Sequence, residues 1–507
     1  MSYEVNGVWL NIDFRLYYTV GGEAIGATVL SYRLDNRPGY FLMFLDPTRA
    51  EAEDVLPRDV VFVLDISGSM QGKKIEQARG ALTAALQQLR DVDRFAIVTF
   101  ASGVSAWRES LQPVGSARRE ALRFVDGIAA RGGTNIAGAM ARAAAYFDTT
   151  TTTRAAVLVF ITDGLPTVGE TDAKKLLAGI SRDLAARVRV FGFGVGYDVN
   201  TDLLDGMADG HRGRAGYVKP EENLTERVNA FIAGLAEPLL LDLAVTMPQA
   251  ELFDIEPGTL PDLYAGVPVI LAGRYRVPGT HGAQLTGTGV DGRTELPREL
   301  TLAAQDTTAD FVARIWAQRR VGALLAQVRR NGESAELKEE IIGLAKEFGL
   351  VTPYTSYLVL EPQMEAELAR RREGTTNFSV MNAPAAAPTA TRDMASGRGM
   401  GESTGATAVQ ASEKLDEYRG SDQVDDDLQG NAVRLVGNRQ FLYRNGIWFE
   451  AGLETGDTVT VAVAPYSSDY FALARQPELA RILALGREVV FRHDGKVYRI
   501  TAVPAVP

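Results

Sequence analysis

Uninterrupted apolar runs that alternate with helical patterns constrain the fold of this chain more than any other feature. Residues 60–64 and 155–161 consist entirely of Val, Leu, Phe, Ile and Ala, which is typical of strands buried on both faces of a sheet. Apolar residues at helical spacing follow the first run over residues 73–89, and similar stretches come before and after the second run. Strands that alternate with helices predict a doubly wound α/β fold with a mainly parallel sheet, a Rossmann-like arrangement.

The rest of the chain divides around this α/β core. A chain of 507 residues is expected to form about three domains. Residues 14–20 and 39–45 are predicted strands. Residues 376–414 are dominated by Ala, Thr, Gly, Ser and Pro, which offer too little apolar surface to offset the entropy of ordering. The predicted segments are a β-rich N-terminal segment (1–56), the α/β domain (57–237), a β-rich and helical segment that packs on it (238–362), a flexible low-complexity linker (363–429) and a small C-terminal α+β module (430–507).

Charge and composition exclude several classes of function. Lys and Arg number 53 and Asp and Glu 64, so the net charge is −11, which argues against a general nucleic-acid binder or docking on anionic membranes. Cysteine is absent and there are three histidines, so a thiolate metal site is excluded and a histidine-based zinc site is not expected. No apolar run approaches the length of a membrane span, and residues 1–20 contain too many polar side chains for a signal peptide.

Oxygen-bearing side chains follow the two buried strands at the point where each strand ends. Asp65, Ser67 and Ser69 come directly after the first strand, and Asp163 comes after the second. Thr134 lies in a glycine-containing loop just before a helix. Because ligands of such sheets bind at the carboxyl ends of the strands, we expect the two carboxylates and three hydroxyls to meet at one edge. Hard oxygen donors suit Mg²⁺, Mn²⁺ or Ca²⁺.

The pattern Asp65-x-Ser67-x-Ser69, with Thr134 and Asp163, resembles the metal-ion-dependent adhesion site of von Willebrand factor A (vWA) domains. The resemblance covers about residues 57–237. It implies that Ser67 and Ser69 coordinate a divalent cation, most often Mg²⁺, directly. It also implies that Thr134 does so directly or through water, and that Asp65 and Asp163 act largely through water or as outer acceptors. An Asp or Glu carboxylate of a partner protein would fill the open position.

The wider arrangement, over roughly residues 14–362, resembles a bacterial relative of the inter-α-trypsin inhibitor heavy chains. In that family a vault-protein/inter-α-trypsin (VIT) sandwich precedes the vWA domain, so segment 1–56 is interpreted as the remnant of such a sandwich. The family resemblance favours an extracytoplasmic location, which the sequence itself leaves unknown. It also implies coupling between metal coordination and the last helix of the domain, about residues 222–235.

Other interpretations of the same residues are weaker. Ser, Thr and Asp at strand–helix junctions also serve as helix caps. A phosphate loop is rejected, because Ser67 and Lys74 replace the first Gly and the Ser/Thr of that motif. An aspartyl-phosphate mechanism would need a second Asp at Ser67. Residues 287–292 match a dinucleotide motif, but with no following helix a hairpin turn at Asp291 is expected instead.

The leading hypothesis is therefore a non-enzymatic protein-binding module for adhesion or scaffolding, in which a divalent cation bridges to a partner's carboxylate. The alternative is a metal-blind scaffold that binds through its surface or through the C-terminal module. A third hypothesis is a hydrolase whose metal activates water. It has no placed general base other than the two aspartates.

Overall fold

The computed structural model describes most of the chain. The described ranges are 25–34, 37–47, 52–147, 153–234, 237–306, 308–350, 352–354, 402–422, 433–436, 439–444, 447–450, 453, 460–486 and 488–501. The predicted strand at residues 14–20 lies outside these ranges.

Strands and helices alternate through the first half of the described chain and are mixed in the second half. The strands are β1 (26–32), β2 (39–46), β3 (58–65), β4 (94–100), β5 (104–106), β6 (112–113), β7 (155–162), β8 (188–195), β9 (214–218), β10 (238–246), β11 (252–256), β12 (263–264), β13 (269–275), β14 (279–289), β15 (292–302), β16 (433–436), β17 (439–444), β18 (447–450), β19 (461–463), β20 (489–493) and β21 (496–500). The helices are α1 (73–88), α2 (114–126), α3 (136–144), α4 (173–183), α5 (201–210), α6 (224–234), α7 (311–331), α8 (335–348), α9 (406–420), α10 (468–474) and α11 (477–483).

The central sheet confirms the predicted doubly wound fold. Its strand order is β5-β4-β3-β7-β8-β9, and the pairs from β4 to β9 are all parallel. Alternate residues of β3 face opposite layers. Val60 and Phe62 pack with α1, α2 and α6, whereas Val61 and Val63 pack with α3, α4 and α5. Both faces are therefore buried, which explains the uninterrupted apolar run.

The described part of segment 1–56 is not an isolated remnant. Strand β13 pairs along its whole length with β2, with Tyr275 opposite Gly39 and Val269 opposite Leu45. The sheet β1-β2-β13-β11 packs on a second sheet, β12-β10-β14-β15, through a shared core that includes Phe41, Leu271 and Leu285. The α/β domain thus lies, in sequence, between two parts of one β-sandwich. Sequence patterns do not reveal this because the pairing partners are far apart in the chain.

Helices α7 and α8 cover the outer face of the β1-β2-β13-β11 sheet. Trp316 of α7 is buried, and its ring lies 5.1 Å from that of Tyr40 on β2 and 6.1 Å from that of Phe348 on α8. The ring nitrogen of Trp316 donates to the carbonyl of Asp254 at 2.8 Å. The described residues of segment 238–362 therefore combine strands and helices.

The structure differs from the linker prediction at residues 406–420, which form helix α9. Val409 is fully buried in the core layer of α3, α4 and α5, whereas Leu415 and Tyr418 belong to the core under α7. Helix α9 contains only one Ser and one Thr among its 15 residues, so the low-complexity composition does not extend through it, and the helix packs on two neighbours. The predicted linker residues 363–401 and 423–429 lie outside the described ranges.

The C-terminal module contains a mixed sheet with the order β16-β17-β18-β20-β21-β19. Strands β17 and β18 are antiparallel, with Arg444 opposite Ile447. Trp448 is buried in the module's core. The turn predicted at Asp291 forms, since β14 and β15 make a hairpin with Gly289 opposite Gly292. Of the helices that the structure describes, none has both the length and the apolar character needed to cross a bilayer.

Candidate metal centre

Three loops meet at the carboxyl edge of the central sheet, and backbone hydrogen bonds hold them together. The amide of Gly68, after β3, donates to the carbonyl of Gly132 at 2.9 Å, and the amide of Arg131 donates to the carbonyl of Ile66 at 2.6 Å. The amide of Thr167, after β7, donates to the carbonyl of Thr134 at 2.9 Å. The relative positions of the loops are therefore fixed by the main chain.

The predicted residues Asp65, Ser67, Ser69, Thr134 and Asp163, hereafter the oxygen cluster, lie on these loops. The hydroxyl oxygens of Ser67 and Ser69 are 2.9 Å apart, and the Ser69 hydroxyl donates to Oδ1 of Asp163 at 2.7 Å. Asp163 follows a different strand, 94 positions from Ser69. The fold thus brings oxygens from distant loops into hydrogen-bonding contact.

Thr134 borders the same space through its hydroxyl. A side chain at Gly164 would place its first carbon 3.7 Å from the hydroxyl oxygen of Ser69 and 4.0 Å from that of Thr134. The absence of a side chain at Gly164 therefore leaves a gap that two hydroxyls of the oxygen cluster face. Thr134 is itself buried, and its amide donates to the hydroxyl of Thr167 at 2.8 Å.

The carboxylate of Asp65 is fully buried and has only neutral hydrogen-bond donors. It accepts the amide of Ser67 at 2.8 Å and the hydroxyl of Thr162 at 2.6 Å. Burial raises the pKa of Asp65 to about 6, opposed by the hydrogen bonds from Thr162 and Ser67, while the charge of Asp163 adds to the increase. Among the residues that the structure describes, no arginine or lysine pairs with this carboxylate, so a bound cation would lower the cost of its charge.

The second carboxylate, Asp163, is paired with a lysine that the sequence analysis did not assign to the site. Nζ of Lys74 donates to Oδ2 of Asp163 at 2.6 Å. Lys74 lies in the first turn of α1, directly after the loop that carries Ser67 and Ser69. Its closeness in sequence to that loop was an available signal. Thr162 was also missed, although it immediately precedes Asp163.

Gly132 and the hydrogen bonds of Ser102 and Asn135 shape the loop that carries Thr134. Gly132 has a φ of +76°, and a side chain there would lie 2.9 Å from the hydroxyl of Ser102. The same Ser102 hydroxyl accepts the amide of Gly133 at 2.8 Å. Asn135 then caps α3 by accepting the amide of Gly138 at 2.9 Å. Glycine is thus required for the approach of this loop to its neighbour.

The donor set of the oxygen cluster fits a hard divalent cation. It consists of two carboxylates and three hydroxyls, with Ser69 exposed and the other four residues buried. Within the described ranges, no group of three or more His, Cys, Asp or Glu side chains could hold a metal ion. The case for a metal therefore depends on the hydroxyls, which are suitable ligands for Mg²⁺, Mn²⁺ and Ca²⁺ but poor ones for soft metals. Metal binding at these residues stays a prediction.

Comparison with known proteins identifies the α/β domain. Residues 58–217 match the family described as von Willebrand factor type A domain. The chain is 28% identical over 343 residues to inter-alpha-trypsin inhibitor heavy chain H2 of Sus scrofa, and the match covers 63% of this chain and 36% of that protein. It is 28% identical over 362 residues to heavy chain H4 of Homo sapiens, covering 67% of this chain and 38% of that protein. The chain therefore spans little more than a third of the length of these relatives.

A solved structure shows the same fold. The protein described as von Willebrand factor type A from Catenulispora acidiphila superposes with a TM-score of 0.50 and is 18% identical in sequence. The superposition covers 69% of this chain and 94% of that structure. At this identity the likeness extends to the fold alone.

Proposed function

Because residues 58–217 form a vWA domain in a chain that resembles the inter-α-trypsin inhibitor heavy chains, we propose that the protein is a metal-dependent protein-binding module. The vWA domain and the resemblance support a role in protein interaction. The finer proposal is that the oxygen cluster holds Mg²⁺, or Mn²⁺ or Ca²⁺ in its place. A divalent cation bound there would supply an electrophilic bridge to an Asp or Glu carboxylate of a partner.

One observation carries this proposal. The hydroxyl oxygens of Ser67 and Ser69 are 2.9 Å apart, and the Ser69 hydroxyl lies 2.7 Å from Oδ1 of Asp163, which is on a separate loop. Helix capping does not require this convergence, because none of these side chains caps its own helix. The side chain of Ser67 makes no cap hydrogen bond to the short helix 68–70, and the cap of α1 is Gly72.

The residues of the oxygen cluster have different roles: some hold the loops in place, and one is exposed to a partner. Asp65 accepts the Ser67 amide and so holds the backbone turn that points both serines toward Asp163. Ser69 is the exposed member, so a partner would approach from its side. Thr134 borders the same gap from the loop before α3.

The packing of α6 supports a link between the oxygen cluster and the last helix of the domain. Helix α1 begins at Lys73, three residues after the short helix that contains Ser69. The Thr225 hydroxyl of α6 donates to the carbonyl of Gln77 at 3.1 Å, and Gly80 leaves room for Thr225. A shift of α6 would therefore act on α1 near the metal-binding loop, and we propose that it alters partner affinity.

Thermal unfolding of the full chain tests metal binding. Mg²⁺ or Mn²⁺ at about 100 times its Kd should stabilise the wild type by roughly 2.7 kcal/mol over EDTA, a shift on the order of 5–10 °C for a domain of this size. Ser67→Ala and Asp163→Ala should remove the shift, whereas Ser105→Ala, an exposed serine on β5, should retain it. The proposal would be refuted if the unfolding temperature of the wild type were the same in EDTA, in Mg²⁺ and in Mn²⁺.

A carboxylate probe tests the bridging step. With Mn²⁺ bound, water-proton relaxation should be enhanced, and millimolar acetate should reduce the enhancement by replacing coordinated water. The same titration with chloride is the control. If acetate acts no differently from chloride, the cation is structural and does not bridge to partners.

The Lys74–Asp163 ion pair favours a second candidate, the metal-blind scaffold. A lysine that neutralises Asp163 could stabilise these loops without any metal. Binding would then depend on the surface or on residues 430–507. Deletion of 430–507 abolishes partner binding under this candidate, while Ser67→Ala does not.

Enzyme activity and location follow from the same proposal. We place the protein among binding proteins rather than enzymes, and a phosphoester hydrolysis screen with Mg²⁺ and Mn²⁺ should give no activity that Asp163→Ala abolishes. The resemblance to the heavy chains leads us to propose an extracytoplasmic location, which fractionation of the source cells would test.

A further inference from the structure

We infer that Lys74 is a built-in competitor for the cation, which occupies Asp163 in the metal-free protein and lowers the metal affinity of the oxygen cluster. This inference rests on the proposed function. It adds a regulatory property, namely that the centre loads only when the free cation concentration is high enough to displace or outweigh the lysine.

The geometry of Asp163 is the first argument. Its carboxylate is fully buried, Oδ1 accepts the Ser69 hydroxyl at 2.7 Å, and Oδ2 accepts Nζ of Lys74 at 2.6 Å. Both oxygens of the carboxylate are therefore engaged without a metal. A cation that uses Asp163 must share it with a positive charge or displace that charge.

The position of Lys74 on its helix is the second argument. The N-terminus of a helix carries a partial positive charge, so a lysine in the first turn is unfavourable for the helix itself. The cap of α1 is Gly72, whose φ is +75° and which offers no side-chain hydrogen bond. Helix stability does not explain a lysine at this position, whereas the buried carboxylate of Asp163 does.

The surroundings of the ammonium group are the third argument. A side chain at Gly196, just after β8, would place its first carbon 3.7 Å from Nζ of Lys74, so the glycine keeps space beside the lysine. The side chain of Lys74 is 33% exposed, in contrast to the fully buried Asp163. Lys74 can therefore leave Asp163 for solvent without a rearrangement of the core, as an exchangeable counter-ion must.

The fourth argument is the contrast with Asp65. That carboxylate accepts hydrogen bonds from Ser67 and Thr162, and both donors are neutral. Within the oxygen cluster, the positive charge is thus placed on one carboxylate only. Removing it would leave two carboxylates with hydroxyl and amide donors alone, which is a stronger site for a divalent cation.

Calorimetric titration of the full chain with MgCl₂ and MnCl₂ tests the inference. Lys74→Met should bind both cations more tightly, by on the order of tenfold, because the competing charge is gone. Lys74→Gln keeps a hydrogen-bond donor for Asp163 without the charge and should show the same direction of change. Lys73→Met, at the exposed neighbouring lysine, is the matched control and should bind as the wild type does.

Unfolding in EDTA gives a second readout that does not depend on metal affinity. Lys74→Met should unfold at a lower temperature than the wild type, since Asp163 stays buried without a cation, and saturating Mg²⁺ should restore most of the loss. If Lys74→Met does not fold, the same two measurements are made on Lys74→Gln, which is expected to fold.

The outcomes separate the two proposals. If the wild type binds metal and the Lys74 variants bind it equally or more weakly, the inference is overturned and the proposed function stands. If only the variants bind metal, the inference stands and the metal-dependent function of the wild type fails. If no protein binds metal, both fail.

Discussion

Buried carboxylates at the two ends of the central sheet have different hydrogen-bond and ion-pair partners. At the amino ends of the strands, each buried carboxylate is paired with arginine. Nη2 of Arg58 lies 2.7 Å from Oδ2 of Asp93. Nε and Nη2 of Arg94 donate to Asp59 at 2.8 and 2.6 Å, and Nε and Nη2 of Arg189 donate to Asp262 at 2.6 and 2.9 Å. These pairs tie neighbouring strands together, and the last ties the vWA domain to the β-sandwich.

At the carboxyl ends, the donors are hydroxyls, an amide and one lysine. Asp65 is bonded by Thr162 and Ser67, and Asp163 by Ser69 and Lys74. A planar guanidinium that bonds both carboxylate oxygens fixes geometry and is costly to separate. Hydroxyls and a partly exposed lysine are easier to exchange. The comparison indicates that the carboxylates at the amino end form permanent structural contacts, whereas those at the carboxyl end can exchange their partners for a ligand.

An Asp→Asn substitution at each end of the sheet tests this difference most directly. Asp93→Asn should destabilise the protein by about 3–5 kcal/mol, because it breaks a buried ion pair with Arg58. Chemical denaturation in EDTA measures this loss. Asp91→Asn, on the same loop with an exposed carboxylate, is the control and should change little. A loss at Asp93 as small as that at Asp91 would show that the amino-end pairs are not structural.

Asp65→Asn should behave differently. In EDTA it should be no less stable than the wild type at neutral pH, because burial penalises the charge that the substitution removes and raises the pKa of Asp65 to about 6. In Mg²⁺ at about 100 times the wild-type Kd, it should lack the roughly 2.7 kcal/mol of metal stabilisation. Paired melts with and without Mg²⁺ measure both effects. Strong destabilisation in EDTA would mean that Asp65 is structural in the same sense as Asp93.

Thr162→Val probes the neutral donor that bonds Asp65. The substitution preserves shape but removes the hydroxyl that donates at 2.6 Å, which should cost about 2 kcal/mol in EDTA. The cost should shrink in saturating Mg²⁺, because the cation would then stabilise the same carboxylate. Thr246→Val, at an exposed threonine of β10, is the control. An equal cost with and without Mg²⁺ would argue against metal contact with Asp65.

Ser102→Ala should have the smallest effect. It removes the acceptor for the Gly133 amide, one neutral hydrogen bond worth about 1 kcal/mol. The Mg²⁺ affinity should fall a few-fold, since this bond positions the loop that carries Thr134. Calorimetry on the variant and on Ser105→Ala measures the difference. An unchanged affinity would mean that the loop is held by Thr167 and the backbone contacts alone.

Local patterns were sufficient for the central sheet and for the oxygen cluster. The run 60–64 predicted β3 because a strand buried on both faces must be apolar throughout. The shared edge of Asp65, Ser67, Ser69 and Asp163 was predictable because the ends of parallel strands meet there, whereas Thr134 reaches it from the loop before α3. Metal binding by these residues stays a prediction. The pairing of β2 with β13 was not predictable, since strands in a sandwich pair across any sequence distance. Helix α9 was missed because the linker prediction extended the composition of residues 376–414 over a segment that forms a helix and packs on two neighbours.

The sequence by itself determined the alternation of strands and helices and the set of oxygen-bearing residues at one edge of the sheet, since both follow from spacing along the chain. Only the tertiary structure decided which charges neutralise which. Lys74 and Asp163 are 89 positions apart, and Arg189 and Asp262 are 73 apart. The physical reason is that a buried charge needs its partner in space, and the packing of the sheet, not the order of the residues, brings the two together.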